Sequence, residues 1–417
     1  MRILHTSDWH LGKMLYQRSR AEDHIAVLHE IIDIARTREP HLIIHSGDLF
    51  DHRRPSYRDE GIAIDVLQEL AAIAPIVVLR GNHDSPHWFR HFARAFGPRS
   101  GIHLIDSRRD PNDGGILRFD GPGDTTLRLG VLPFVDLATQ TNVYDNPDQW
   151  YSSYARAVGE FERELAAELV RDLDTSREIA VFTAHEYVRG AELSGTERAM
   201  HIDDKYATDP ADLPTVSYAA LGHIHKPQQL RISGVTACYA GSPLQLDFGE
   251  AGEQKSVVIA DLHPGQPAEI TTVALRSARQ LRIFEGTLDK LRANASTFGR
   301  DLCLFKIHTP TNDPTLAEQV SAIVPDAEIV GVRPIFGDEP EIITADIVGA
   351  EADSDLRTLF AEFLSTQTGP KADPQILHKQ FDRILTCFED EVTFTLPDIE
   401  ALLAEPDDTT DLEENQR

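Results

Sequence analysis

Only three of the 417 residues are cysteine, Cys238, Cys303 and Cys387, and no ligand-like spacing relates them. That scarcity argues against a disulfide framework or a thiolate zinc site, and the apolar neighbours of all three predict buried free thiols in a reducing compartment. Long apolar runs are missing as well. No stretch approaches the length needed to cross a bilayer, and the N-terminus enters a strand at once without a signal-peptide pattern, so a soluble, cytoplasmic protein with no membrane partner is expected. Positive charge is scarce: 40 Lys+Arg stand against 68 Asp+Glu, a net charge of −28. Such a balance argues against a nucleic-acid partner unless bound metal ions supply the missing positive charge. Neither an internal repeat nor a low-complexity block occurs, and the length exceeds one ordinary core, so two or three units are expected.

Against these absences stands a repeated local pattern. Ile76, Val77, Val78 and Leu79 form an apolar run that reads as a buried strand, and the chain then breaks into Gly81-Asn82-His83-Asp84. Three further runs end in the same way. Ile3-Leu4 lead into Asp8-Trp9-His10, Leu42-Ile43-Ile44 into Gly47-Asp48-Leu49-Phe50-Asp51, and Ala219-Ala220-Leu221 into Gly222-His223-Ile224-His225. The segment from Glu178 to Ala184 is another strand, and it delivers His185. In an α/β fold the carboxyl ends of strands open onto a crevice, which gathers these polar groups at one rim. Asp8, His10, Asp48, Asn82, His185, His223 and His225 mix hard oxygens with borderline imidazoles, a set suited to manganese, iron or zinc rather than magnesium or calcium. Two ions side by side need a bridging carboxylate and several further ligands, and such a centre clamps both oxygens of an in-line phosphoryl displacement.

Between the strands, Ser19 and Glu22 have capping-box spacing ahead of Ile25, Leu28, Ile31, Ile32 and Ala35, which predicts a crossover helix. The loop from His52 to Arg58 is basic and aromatic, and Arg53, Arg54 and Arg58 read either as solvated surface or as contacts to a nucleic-acid backbone. Helices at Ile62 to Leu70 and Trp88 to Phe96 carry more apolar and aromatic residues than one sheet face needs, which predicts a dimer surface. From 101 to 275 short strands with turns between them predict a sandwich of two sheets, closed by Gly241-Ser242-Pro243-Leu244-Gln245-Leu246. The resulting division is 1–276 for the site-bearing domain, 277–345 for a small α+β module, 346–403 for amphipathic helices, and 404–417 for an acidic tail without a fold. The apolar stripes at Leu356 to Leu364 and Ile376 to Phe388 either pack back on the body or dock on a partner.

The ordered motifs resemble the calcineurin-like metallophosphoesterase superfamily. Around Ser7-Asp8-Trp9-His10-Leu11-Gly12, Gly47-Asp48-Leu49-Phe50-Asp51 and the Gly241 to Leu246 stretch they are similar to the nuclease subunits of bacterial SbcCD double-strand-break repair complexes. The resemblance implies a four-layer α/β sandwich, two β-sheets flanked by helices, with a capping domain and C-terminal helices. It also implies two Mn2+ ions per chain, 3′–5′ exonuclease and endonuclease activity on DNA, and a homodimer that joins the SMC-like ATPase SbcC in a heterotetramer. By position, Asp8, His10 and His225 hold one ion, Asn82, His185 and His223 the other, and Asp48 bridges them. His83 then protonates the leaving oxygen, with Asp51 holding its ring. Metal-site motifs say little about substrate, so a phosphoesterase for small phosphodiesters or phosphoproteins is the alternative, and a binding scaffold on an inactive fold is a third reading.

Overall fold

The computed structural model describes residues 1–136, 147–194, 207–232, 234–311 and 313–336, all within one compact unit, Met1–Gly337. The helices expected over 346–403, the tail and Cys387 lie outside the described residues. The first half runs β1 (Arg2–Thr6), a hairpin of β2 (Met14–Leu15) and β3 (Arg18–Ser19), α1 (Ala21–Arg38), β4 (Leu42–His45), α2 (Tyr57–Ala71), β5 (Ile76–Leu79), α3 (Pro86–Phe96) and β6 (Ile102–Ile105). Strands β4 and β5 are apolar at nearly every position because both their faces are covered, and β1 buries Ile3 and Leu4 between polar ends. Leu4, Ile43, Ile76 and Val78 pack with α1, α2 and α3, while Ile3, Leu42, Ile44, Val77 and Leu79 face a second sheet.

That second sheet uses β7 (Ile116–Asp120), β8 (Thr126–Leu132), β9 (Glu178–His185), β10 (Tyr218–Gly222), β11 (Gln228–Leu230) and β12 (Ala237–Tyr239), in the order β11-β12-β10-β9-β8-β7. The chain then returns to the first sheet as β13 (Ser256–Asp261) and β14 (Glu269–Ala274), giving β14-β13-β1-β4-β5-β6. The turn-rich pattern between 101 and 275 predicts strands alone, but β8, β9, β10 and β12 are mutually parallel and need a crossover. Helix α4 (Pro147–Leu169) supplies it between β8 and β9. Its inner stripe packs Val158, Phe161, Leu165 and Leu169 against the sheet at helical spacing. The result is four layers: α1 to α3, two six-stranded sheets, and α4.

Residues after 276 form a small parallel sheet, β15-β16-β17, from β15 (Leu281–Gly286), β16 (Leu302–His308) and β17 (Glu328–Ile335), with α5 (Leu288–Asn294) and α6 (Leu316–Ile323) between the strands. One face buries Cys303, Phe305 and Ile307 beneath α5 and α6, and the other seats Leu281, Leu302 and Leu304 on Leu15 and Phe248. Cys238 and Cys303 are free and buried. A polar clamp adds to this seat. Asp23, in the first turn of α1, accepts from Arg20 Nε at 2.7 Å, from Arg279 Nε at 2.9 Å and from Arg279 Nη2 at 2.9 Å. The expected capping box does not form: α1 begins at Ala21 with Arg20 as its N-cap, Ser19 belongs to β3 and accepts from Ala21 N at 3.2 Å, and Glu22 pairs with Arg58 instead. Among the described residues no helix is long and apolar enough to cross a membrane.

Candidate metal centre

The carboxyl ends of β1, β4 and β5 from one sheet meet those of β9 and β10 from the other. Asp8, His10, Asp48, Asn82, His185, His223 and His225 converge there, none of them more than 5% exposed. Two groups have their potential ligand atoms within 4.8 Å of one another, Asp8/His10/His225 and Asp48/His185/His223. Asn82 Oδ1 lies 3.0 Å from His185 Nε2 and 3.0 Å from His223 Nδ1, which adds it to the second group. Asp48 Oδ2 stands between the groups, 3.6 Å from His10 Nε2 and 3.5 Å from His185 Nε2. The centre is a candidate dinuclear metal site.

The local sequence explains the convergence. Asp8, His10, Asp48 and His223 have φ of 51°, 47°, 55° and 98°, in the left-handed region that side chains rarely occupy. Each such residue costs on the order of 1–3 kcal/mol, and here the turn swings a ligand inward. Two glycines make room: a Cβ on Gly47 would run into the His185 ring, and one on Gly81 into the Asp48 carboxylate.

The donor set fits a pair of divalent ions. Separations of 3.5 and 3.6 Å from Asp48 Oδ2 to two imidazoles are long for hydrogen bonds. They are close to the spacing of two ligands on one ion, since metal bonds of about 2.1 Å at ordinary ligand angles put donor atoms about 3.0–3.4 Å apart. His10 Nε2 is buried without a hydrogen bond, an expensive condition that a bound cation relieves. Electrostatics agree. Burial pushes Asp48 up, but the imidazoles of His185, His83 and His10 outweigh it and hold the carboxyl well below its usual range. Burial alone would pull His185 down, yet Asp48 and Asp8 push it up to about 9. Burial pushes Asp8 up to about 6 and pulls His10 down to about 4.

His83 stands at the edge of this cluster. Its main-chain N–H donates to Asp48 Oδ1 at 2.8 Å, its Nδ1 is 2.7 Å from the Asp51 carbonyl oxygen, and its Nε2 is 4.0 Å from Asp48 Oδ2. It also forms a third close group with His10 and Asp48. Asp51 therefore reaches the His83 ring through its main chain. Its carboxylate lies 3.9 Å from His83 Nδ1 and closer to His10 Nδ1, at 3.3 Å, with Lys13 Nζ at 3.3 Å and His52 Nε2 at 3.1 Å. Arg53 and Arg54 lie exposed on the loop beyond, where Arg53 faces Asp136 at 3.5 Å; the expected loop ends earlier, since Ser56 caps α2, and Arg58 lies exposed in that helix's first turn and pairs with Glu22.

Sequence reasoning reads Asp84 as a turn residue and passes over Glu250 and Lys255. Asp84 is fully buried and accepts from Gly81 N at 2.9 Å, Leu49 N at 3.1 Å and Phe50 N at 2.9 Å, which ties the β4 loop to the β5 loop. Burial pushes its carboxyl up to about 7. Glu250 Oε1 lies 3.2 Å from His225 Nδ1. The -Gly-Asn-His-Asp- spacing offered a hint of the first, whereas nothing in the spacing from His225 to Glu250 pointed to the second.

Over residues 1–227 the chain matches the family described as calcineurin-like phosphoesterase. It is 33% identical over 285 residues to the D subunit of the nuclease SbcCD of Bacillus subtilis, a match covering 67% of this chain and 71% of that one. To the protein of the same name from Staphylococcus epidermidis it is 26% identical over 298 residues, covering 70% and 74% of the two chains.

Proposed function

The chain belongs to the calcineurin-like phosphoesterase family, and from that premise we propose that it is a DNA nuclease, both exonuclease and endonuclease, working with two Mn2+ ions. The observation that carries the reading is the pair of buried ligand groups with Asp48 between them. In this reading Asp8, His10 and His225 hold one ion, Asn82, His185 and His223 the other, and Asp48 bridges. When bound, two such ions clamp the attacking and leaving oxygens of an in-line phosphoryl displacement. The chain's own part is positioning and proton transfer. The Asp51 carbonyl accepts the Nδ1 proton of His83 at 2.7 Å and turns Nε2 toward the centre, where it gives a proton to the leaving oxygen. The Asp51 carboxylate steadies His10 at the same time.

Arg53, Arg54 and Arg58 take the DNA backbone beside the site, a sequence-independent contact. The relatives named as D subunits of the nuclease SbcCD motivate the partner: an SbcC-type ATPase, docked through the apolar stripes of 346–403, with 1–276 as the nuclease domain and 277–345 as its cap. Helices α2 and α3 serve as the surface of a homodimer, which with SbcC makes a heterotetramer. The full chain with Mn2+ should degrade labelled linear duplex and cut single strands. Activity confined to a chromogenic diester would refute the DNA reading and favour a small phosphodiester.

A further inference from the structure

Glu250 ends a short 3-10 turn, Phe248–Glu250, and none of it is exposed. A buried carboxylate is costly unless its charge is answered, and here both oxygens are used. Oε1 faces His225 Nδ1 at 3.2 Å, and Oε2 accepts from Leu246 N at 3.0 Å and lies 2.8 Å from Lys255 Nζ. Lys255 is buried too. Its ammonium also donates to the main-chain oxygen of His225 at 3.0 Å and to Glu253 Oε2 at 2.8 Å. One lysine thus grips the backbone of a ligand histidine and, through Glu250, its ring.

We propose that Glu250, fixed by Lys255, is a positioning residue that makes the Asp8/His10/His225 position the tighter of the two metal positions. A carboxylate at Nδ1 keeps the proton on that nitrogen, points the Nε2 lone pair away toward the ion, and raises the ring's basicity. His10 in the same group also has a carboxylate at its outer nitrogen, Asp51 Oδ1 at 3.3 Å from Nδ1. On the other side His185 Nδ1 faces a neutral acceptor, the Ser46 carbonyl, at 2.8 Å. Two carboxylate-backed imidazoles on one side, against the carbonyl-backed His185 and His223 with its Nδ1 3.0 Å from the Asn82 amide oxygen on the other, make the two positions unequal.

The inference rests on the two-metal reading and is tested by calorimetric titration of the full metal-free chain with Mn2+ alone, without substrate. The wild type should bind two ions in unequal steps, and His225→Ala should remove the tighter one, which identifies it. Glu250→Gln, which keeps the shape and loses the charge, should weaken that step about 10–100-fold and leave the other unchanged. Glu250→Asp keeps the charge but withdraws it by one methylene, and should weaken the same step less; it decides the matter if the glutamine variant fails to fold. Unchanged affinities in a folded variant overturn the proposal, as does equal weakening of both steps with a lowered metal-free melting temperature. A wild type that never takes up a second ion brings down the two-metal reading itself, before any variant is compared.

Discussion

Replacing Asp23 tests whether the small parallel sheet is held to the body by charge as well as by apolar contact. The carboxylate is 3% exposed and accepts hydrogen bonds from Arg20, itself 1% exposed, and from Arg279 at the entrance to β15. Burial pushes the Asp23 carboxyl up, but the bonds from Arg279 and Arg20 outweigh it and bring it down from 3.8 to about 2. At about 1.36 kcal/mol for each tenfold change, that depression is worth about 2 kcal/mol at neutral pH. Asp23→Asn keeps an acceptor and loses the charge, so it should cost about that much. Asp23→Ala also strands the Arg20 guanidinium in the interior and should cost about 3–5 kcal/mol, the usual consequence of removing one partner of a buried pair. The sign with pH follows from the depressed pKa. The contribution is complete above the unfolded value near 3.8 and is lost as pH falls toward 2, so the gap between wild type and Asp23→Asn should shrink by about half at pH 3. Urea unfolding of the metal-free chains at pH 7 and pH 3 measures both numbers. An Asp23→Ala variant within 1 kcal/mol of wild type at pH 7, or a gap that grows on acidification, would refute the reasoning.

Asp48→Asn weakens the group shared by both ion positions, so bound metal and nuclease activity should fall together; elemental analysis showing two ions per chain would contradict the bridge. His83→Ala should keep its ions and lose roughly two to four orders of magnitude in DNA cleavage, the usual range for a lost general acid. Loss of metal in that variant would make His83 a ligand, as its approach to His10 and Asp48 allows. Chelation should lower the melting temperature of the wild type, because an ion held at about a hundred times its dissociation constant contributes about 2.7 kcal/mol. The same treatment should leave Asp48→Asn nearly unchanged, and equal shifts in the two proteins would count against the site.

The strand ends were readable because two facts coincide on the same residues. A strand covered on both faces must be apolar throughout, as at Leu42-Ile43-Ile44 and Ile76-Val77-Val78-Leu79, so the first polar residue after it marks the sheet's rim. Beyond His45 and Arg80, the first polar residues, Asp48 and Asn82 follow within a few positions, each just after a glycine. Helix α4 is masked by the short strands and turns around it, which suggest strands alone, although Val158, Phe161, Leu165 and Leu169 keep a helical spacing. The capping box at the start of α1 does not form because Glu22 pairs with Arg58, a partner distant in sequence, and spacing registers only local partners. Glu250 and Lys255 escaped for the same reason: a glutamate in a turn looks like solvated surface until the fold brings it against His225.

The position of β1 has a consequence for how the protein is made. It is an interior strand, hydrogen-bonded to β4 on one side and to β13, around Asp261, on the other. On a ribosome adding about 5–20 residues per second, β13 follows β1 by roughly 12–50 s, and for that interval one edge of β1 has no partner within the chain. The candidate ligands are spread just as widely, from Asp8 to His225, so no fragment shorter than the first 225 residues contains both proposed ion positions. A complete pair of ions therefore cannot template the early nascent chain, and the open edge of β1 is left to whatever strand-binding help the cell provides. Slowing translation between His225 and Ser256 should raise aggregation more than the same pause placed after Asp261.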